Sequence, residues 1–323
     1  MLSSEDKMAI WILTGMTASL TIFFNLYILL TNLRSYRQNG HWLPCETIIT
    51  ALSVVSGTHQ LVSYFWITMD KMDTDCLLNS LPFSILLVTV HSLKFSIMWI
   101  TAFLTFYYST KLVIEPIHCY TKIQEAILKH VTTVVLIIPL CGFASCMPLL
   151  VVLSQHNSTE TNPNPDCGSL ATTGIQGMAY LAYYLLMSDI IPGLLMVKSS
   201  ISISVHLAIH LRHMKASTNS FHSPKLGSEM RVIRMNLGLV SVFLCFLVVD
   251  LYVHYMSMVK RQNVLVLTIL FSSVYTAVNS LVLIYGKTTF WKELLHQFSL
   301  LLDVFPCLAC FKVPETKHNL SAT

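Results

Sequence analysis

Two lysines, Lys94 and Lys198, lie deep inside long apolar stretches of this 323-residue sequence. A charged side chain near the centre of a bilayer costs about 3 kcal/mol or more, so it normally faces a helix-bundle interior or a wet cavity. Asp189 and Asp250 occur in the outer parts of their own apolar stretches and are candidate partners for Lys94. The pattern therefore predicts that Lys94 either contacts a ligand or is neutralised inside the bundle.

Other kinds of chemistry find little support in the sequence. The 13 histidines are scattered, and no Cys/His cluster has the spacing of a tetrahedral metal site. No phosphate-binding loop or hydrolase motif is visible, so we expect no enzymatic activity, no cofactor and no metal. A retinal protein would need a lysine in the middle of its last apolar stretch, whereas Lys287 is at the end of it.

The composition indicates that lipid is the main solvent of this chain. Hydrophobic residues make up 54% of the sequence and charged residues only 11%, where soluble domains carry about 25% charged residues. Seven stretches have the ~20 apolar residues that cross a bilayer as a helix. We place them at Ala9–Leu33, Thr47–Met69, Pro82–Tyr108, Val131–Leu153, Met178–Leu211, Asn236–Met256 and Val264–Tyr285. We expect Pro139, Pro148 and Pro192 to kink their helices.

The distribution of basic residues predicts the orientation. Most of the 20 lysines and arginines fall in segments on one side of the seven stretches, and that side is expected to be cytoplasmic. Residues 1–8 are then a short extracellular N-terminus, 9–285 an all-α seven-transmembrane-helix domain and 286–323 a cytoplasmic tail. The first helix is expected to stay as a signal anchor. The net charge of +4 reflects topology and contact with anionic lipid, not nucleic-acid binding.

Three residues in the predicted outer loops bear on this orientation. Asn157 begins an Asn-Ser-Thr acceptor for N-glycosylation. Cys76 and Cys167 are both predicted to be extracellular, where a disulfide is allowed. Whether they are bonded is left open, because sequence does not give the distance between them.

Four short segments resemble motifs of the taste receptor type 2 family, the bitter taste receptors. They lie in the first, third, fifth and seventh predicted helices, in the order that the family has them. The matching residues are Asn25 and Asn32; Trp99, Leu104, Tyr108 and Lys111; Leu207, His210 and Met214; and Ser280, Leu283 and Ile284. Some positions depart from the family pattern: Asn279 stands in place of a histidine, Ala102 in place of a threonine, and Ser56 where an arginine is expected. We identify the chain as a divergent member.

The resemblance implies a G-protein-coupled receptor in the plasma membrane. Its ligand would be a small bitter compound, and its partner a heterotrimeric G protein of the gustducin type. Lys94 stands where relatives carry a cavity-lining asparagine. The expected ligand-binding residues are Lys94, His91, Trp66, Asp250, His254 and Lys198, and the expected G-protein contacts are Lys111, Arg212, Lys215, Arg231 and Arg234. A pheromone or odorant receptor is the alternative, and a transporter is a more distant one because no internal repeat is visible.

Overall fold

A computed structural model describes residues 4–72, 80–112, 122, 125, 129–159, 175–216, 226–260 and 265–304. Within those ranges the regular structure is helical throughout, without strands. Seven helical segments are long and apolar enough to cross a membrane, which confirms the predicted seven-helix fold. These spans are Lys7–Asn39, Pro44–Met72, Leu81–Lys111, Val131–Leu153, Ile175–His206, Met230–Met256 and Leu265–Gly286. The extracellular position of the N-terminus stays a prediction.

Several helices extend beyond the spans that they form. The first three are Ser4–Asn39, Pro44–Met72 and Ser80–Leu112, and the sixth and seventh spans belong to Leu226–Lys260 and Leu265–Gly286. The fourth span consists of Val131–Cys146 and Pro148–Thr159, and the fifth of Ile175–Leu185, a π-helical turn at Leu186–Ile190, and Ile191–Ala216. A last helix, Thr288–Val304, follows the seventh span.

The three prolines have different effects on their helices. Pro148 begins a new helix after a break at Met147, as expected for a residue that cannot continue the hydrogen-bond ladder. Pro192 is the second residue after the π-helical turn, in which the N–H of Ile191 bonds to the carbonyl of Leu186. The helix around Pro139 continues without interruption.

The third span is the centre of the bundle and packs against the second, fourth, fifth and sixth spans. Its buried side chains contribute to two apolar clusters. One cluster, around Met98, Leu52 and Phe243, fills the middle of the bundle and the end that contains Tyr108 and Phe290. The other, around Trp66 and Leu87, fills the end opposite to it. The lipid-facing surface carries large exposed apolar side chains, for which lipid replaces water as the solvent.

Gly142 allows the third and fourth spans to approach closely. A Cβ atom at this position would lie 2.9 Å from Phe95 Cδ1 and 3.0 Å from the Ser92 carbonyl oxygen. We expect Gly142→Val to lower thermal stability, because overpacking against backbone costs about 1–3 kcal/mol. Gly57→Val is the matched control, since a Cβ there meets nothing within 4 Å. Thermal unfolding of both purified variants tests the difference; equal melting temperatures would contradict the close packing.

Candidate functional site

A buried ionic cluster joins the third, fifth and sixth spans. Lys94 Nζ lies 3.0 Å from Asp250 Oδ2 and 3.4 Å from Asp189 Oδ1. The exposed fractions of these side chains are 4% for Lys94, 1% for Asp250 and 0% for Asp189. A buried charge of this kind persists only when it is paired. The structure therefore shows that Lys94 is neutralised inside the bundle, by both acids predicted as its partners.

Two further side chains complete this ionic cluster. His254, one turn beyond Asp250, has Nδ1 3.4 Å from Asp250 Oδ2 and 2.7 Å from the Asp250 carbonyl oxygen. The Ser188 hydroxyl donates a hydrogen bond to Asp189 Oδ2. Among the described residues, Asp250 Oδ1 has no hydrogen-bond partner, and Asp189 Oδ1 has the ion pair with Lys94 but no hydrogen bond. Both oxygens are buried acceptors that a donor group could still satisfy.

Aromatic rings surround the ammonium group. Lys94 Nζ lies 5.6 Å from the centre of the Tyr184 ring and 5.3 Å from that of Phe246. These distances are within the range of cation–π attraction. The Tyr184 hydroxyl donates to the His91 carbonyl oxygen at 3.0 Å, and the His91 and Tyr184 rings meet edge to face. His91 is thereby held beside the cluster, one turn along the third span.

The π-helical turn positions Asp189 toward the third span. Pro192 has no N–H to donate to the carbonyl of Ser188, so the ordinary ladder is interrupted at this level. Trp99 Nε1 instead donates to the neighbouring Met187 carbonyl oxygen at 2.9 Å. Such turns commonly occur at functional sites. The tryptophan that carries the family motif thus fixes the backbone that presents Asp189.

The structure brings together Lys94, Asp250 and His254 from the expected ligand-binding set, with His91 beside them. Trp66 is also buried, but it packs on Phe83 at a ring distance of 4.8 Å within the apolar cluster around Leu87. Lys198 lies on the exposed face of the fifth span, outside the ionic cluster. Its role in ligand binding stays a prediction.

Asp189, Ser188 and Tyr184 are members of the cluster that the sequence did not place in a site. In the sequence, Asp189 is only a candidate partner of Lys94, and the turn that presents it has one local signal, Pro192. Tyr184 has no signal beyond its position in an apolar stretch. The π-helical turn changes the register of the helix at Ser188 and Asp189, so a regular helical pattern does not predict the face on which they lie.

A second polar network joins the first, second and seventh spans at their other end. Lys287 Nζ lies 3.3 Å from Glu46 Oε1 and 3.4 Å from Asn32 Oδ1. Asn32 Nδ2 also donates to Thr50 Oγ1 at 3.0 Å, and Glu46 Oε1 accepts from Ser35 at 3.4 Å. Glu46 and Lys287 are only 9% and 18% exposed. Asn32 is a residue of the family motif, whereas Glu46 was not recognised as a site residue from the sequence.

The basic residues expected to contact a G protein lie at this same end. Lys111, Arg212 and Arg234 are exposed, and Arg231 is half-buried. Lys111 ends the third span, Arg212 lies beyond the end of the fifth, and Arg231 and Arg234 are near the start of the sixth, so the exposed ones are available to a partner on that side. Lys215 belongs to the helix Ile191–Ala216, but its side chain lies outside what the structure describes.

The remaining expected site residues lie wholly or partly outside the part of the chain that the structure describes. Asn157 belongs to the helix Pro148–Thr159, and its side chain lies outside the description. Cys76 and Cys167 lie outside the described residues, so their bonding stays a prediction. No group of three metal-ligating side chains occurs among the residues that the structure covers.

Comparison with known proteins agrees with the fold and with the motifs. The family model described as "Taste receptor protein (TAS2R)" matches residues 1–301. No curated protein matches the chain. The match covers nearly the whole sequence. It agrees with the seven helices that can span a membrane and with the contacts of the motif residues Trp99 and Asn32. The chain therefore belongs to the TAS2R taste receptor family.

Proposed function

We propose that this taste receptor detects small bitter compounds in the outer half of its bundle, next to the ionic cluster, and signals through a gustducin-type G protein. Membership of the family implies small-molecule ligands and G-protein coupling in general terms. The ligand class, the G-protein type, the plasma-membrane location and the outward N-terminus are part of the proposal. The observation that carries it is the buried Lys94–Asp189–Asp250 cluster, which links three spans.

The cluster is suited to transmitting ligand binding because each of its charges comes from a different span. Asp189 and Asp250 each keep one buried oxygen without a hydrogen-bond partner among the described residues. A ligand that donates to either carboxylate would compete with Lys94 for that aspartate. A ligand shifts an equilibrium by its differential affinity for two arrangements. Such competition would favour a different arrangement of the fifth and sixth spans relative to the third.

The proposed response reaches the G protein at the opposite end of the same three spans. Lys111, Arg212 and Arg234 provide exposed positive charge there. Positive surface charge steers an acidic partner and also satisfies the topology rule for cytoplasmic segments. Asn157 remains the proposed glycosylation site on the outer side.

Calcium imaging in cells that express the receptor tests the proposed function. With a gustducin-like Gα co-expressed, a panel of bitter compounds is expected to evoke calcium release that disappears without the Gα. Silence to the whole panel, with surface expression proven by antibody labelling, would contradict bitter detection and favour another chemosensory ligand. A Gα-independent uptake of compounds would instead indicate a transporter.

His254→Ala is expected to change agonist potency, because His254 lies against Asp250 at the edge of the cluster. We expect a shift of about tenfold in the effective concentration of at least one agonist, equivalent to about 1.4 kcal/mol. Leu251→Ala on the same helix is the matched control, since Leu251 is exposed at the lipid-facing surface. Concentration–response curves at matched surface expression measure the shift. Unchanged potency for every agonist would remove His254 from the proposed site.

A further inference from the structure

Three exposed cations, Arg34, Arg37 and Lys292, form a basic corner at the end of the bundle that holds the second polar network. The arginines are near the end of the helix that forms the first span, and the lysine is in the helix that follows the seventh span. Arg34 Nη1 lies 2.5 Å from Glu293 Oε1, so the two helices meet at this point. Glu293 supplies one negative charge against three positive charges. The corner therefore keeps a surplus of two positive charges.

An aromatic pair beside the basic corner marks the membrane–water interface. The rings of Tyr36 and Trp42 meet edge to face at 5.4 Å, and both side chains are exposed. Exposed tyrosine and tryptophan side chains of membrane proteins are enriched at the level of the lipid head groups, because one end of each is apolar and the other is polar. Tyr36 lies between Arg34 and Arg37 in the sequence. The two guanidinium groups are therefore at head-group level.

The arginines continue the lipid-facing side of the first span. Leu26, Leu30 and Leu33 are exposed apolar side chains of that span, and each is three or four residues from the next. Because an α-helix has 3.6 residues per turn, Arg37 falls on the same face, one turn beyond Leu33. A lipid whose acyl chain lies along these leucines therefore has its head group beside Arg37.

The helix after the seventh span forms the other side of the basic corner. Its apolar side chains Leu295 and Phe298 are exposed, although this helix is outside the seven spans. Trp291 lies one turn before Leu295 on the same face, and its ring meets the Tyr285 ring edge to face at 5.4 Å. A helix with an apolar face and a polar face lies in the plane of the membrane surface. Lys292 then borders the head-group region.

The chemistry of the basic corner selects a phosphorylated head group. The guanidinium fork of an arginine matches the oxygen atoms of a phosphate, to which it can donate two parallel hydrogen bonds. The Arg34–Glu293 contact is exposed, and exposed ion pairs contribute little, so a phosphate can replace Glu293 as the partner of Arg34. A surplus of two positive charges is better matched by a head group with several negative charges than by phosphatidylserine, which has a single net negative charge.

We propose that the basic corner binds a phospholipid with a multiply phosphorylated inositol head group. The phosphates bind Arg34, Arg37 and Lys292, and one acyl chain lies along the exposed leucines of the first span. Glu293 competes with the phosphates for Arg34 and so limits the affinity for the lipid. The bound lipid joins the first span to the helix that follows the seventh span.

Native mass spectrometry of the purified full-length receptor tests this site without any signalling assay. The probe is dioctanoyl phosphatidylinositol bisphosphate, and dioctanoyl phosphatidylserine is the singly charged comparison. We expect the inositol lipid to bind about tenfold more tightly than phosphatidylserine, equivalent to about 1.4 kcal/mol. Equal affinities for the two lipids would overturn the proposal, because the corner would then be an unselective anionic-lipid surface.

Two pairs of substitutions locate the site on the receptor. The double variant Arg34→Gln, Arg37→Gln is expected to lower the affinity for the inositol lipid about thirtyfold, equivalent to about 2 kcal/mol, since each basic residue near a membrane surface contributes to lipid binding. Lys122→Gln, Lys129→Gln is the matched control, because it removes the same charge from exposed positions between the third and fourth spans. We expect the control to bind normally. An equal loss in both double variants would overturn the proposal.

Glu293→Gln is expected to have the opposite effect. It removes the carboxylate that competes for Arg34, so the affinity for the inositol lipid is expected to rise about fivefold, equivalent to about 1 kcal/mol. Glu125→Gln, which removes an exposed acid between the third and fourth spans, is expected to leave the affinity unchanged. An affinity of Glu293→Gln that stays the same or falls, or one that rises equally in Glu125→Gln, would contradict the proposed site.

Discussion

Replacing Lys94 by methionine is expected to remove most of the folded receptor from the cell surface. The substitution leaves Asp189 and Asp250, which are 0% and 1% exposed, without the ammonium group that they share. Removing one partner of a buried ion pair destabilises a protein by about 3–5 kcal/mol, because the remaining charge stays buried. Such a loss is a large part of the total stability of a typical protein. Surface labelling and thermal unfolding in detergent measure it.

Lys198→Met is the matched control for this experiment. It makes the same substitution in another span, but Lys198 lies on an exposed face. Substitutions away from buried features usually change stability by less than about 0.5 kcal/mol. We therefore expect near-normal surface expression. If the two variants lose surface expression and stability equally, the loss of any lysine from a membrane span explains the result. The burial of Lys94 would then not be the cause.

Removing the whole cluster separates charge from packing. In the triple variant Lys94→Met, Asp189→Asn, Asp250→Asn, no uncompensated charge remains. Replacing all members of a buried ionic group is often neutral or stabilising, unlike removal of one member. The triple variant is expected to recover surface expression that Lys94→Met alone loses. A triple variant as unstable as the single one would show that the lysine side chain stabilises the bundle by packing.

The seven spans could be predicted because hydropathy alone determines which segments enter lipid. Each predicted stretch overlaps a helix that the structure contains, and the break at Pro148 follows from the missing N–H of proline. The neutralisation of Lys94 was also foreseeable as one of two possibilities, since Asp189 and Asp250 are rare acids in apolar stretches. What the sequence did not determine was the rotation of each helix about its axis.

Lys198 illustrates that limit. It looks equivalent to Lys94 in sequence, but it faces outward. In the fifth span the π-helical turn at Leu186–Ile190 adds a residue to the turn, and each residue of an α-helix rotates the chain by about 100°. A regular helical pattern drawn through this span therefore assigns the wrong face to residues beyond the turn. Nothing except Pro192 signals the turn locally.

The pair of Glu46 and Lys287 shows a second limit, because the two residues meet from distant parts of the sequence. The residues around Glu46 in the sequence do not indicate a contact with Lys287, and those around Lys287 do not indicate one with Glu46. Their contact depends on how the second and seventh spans pack, and Asn32 of the first span completes it. The departures from the family motifs at Ser56 and Asn279 did not indicate that a polar network forms at this end of the bundle.

The Glu46–Lys287 contact is expected to contribute measurably to stability. Both side chains are largely buried, and the atoms are 3.3 Å apart. In a double-mutant cycle with Glu46→Gln, Lys287→Met and both together, we expect a coupling energy of about 1–3 kcal/mol, as for residues within one hydrogen-bonded network. Each single variant leaves one polar group without its partner. The double variant is therefore expected to lose less stability than the sum of the two single losses. Thermal unfolding of the four purified proteins gives the coupling.

A second cycle on Arg34 and Glu293 distinguishes burial from proximity. These side chains approach more closely, at 2.5 Å, but they are 65% and 27% exposed. Exposed ion pairs contribute about 0.2–1 kcal/mol, because solvent screens them and because ordering two long side chains costs entropy. The closer pair is therefore expected to show the smaller coupling. If Arg34 and Glu293 couple as strongly as Glu46 and Lys287, distance governs these contacts, and the buried network has no special part in joining the first, second and seventh spans.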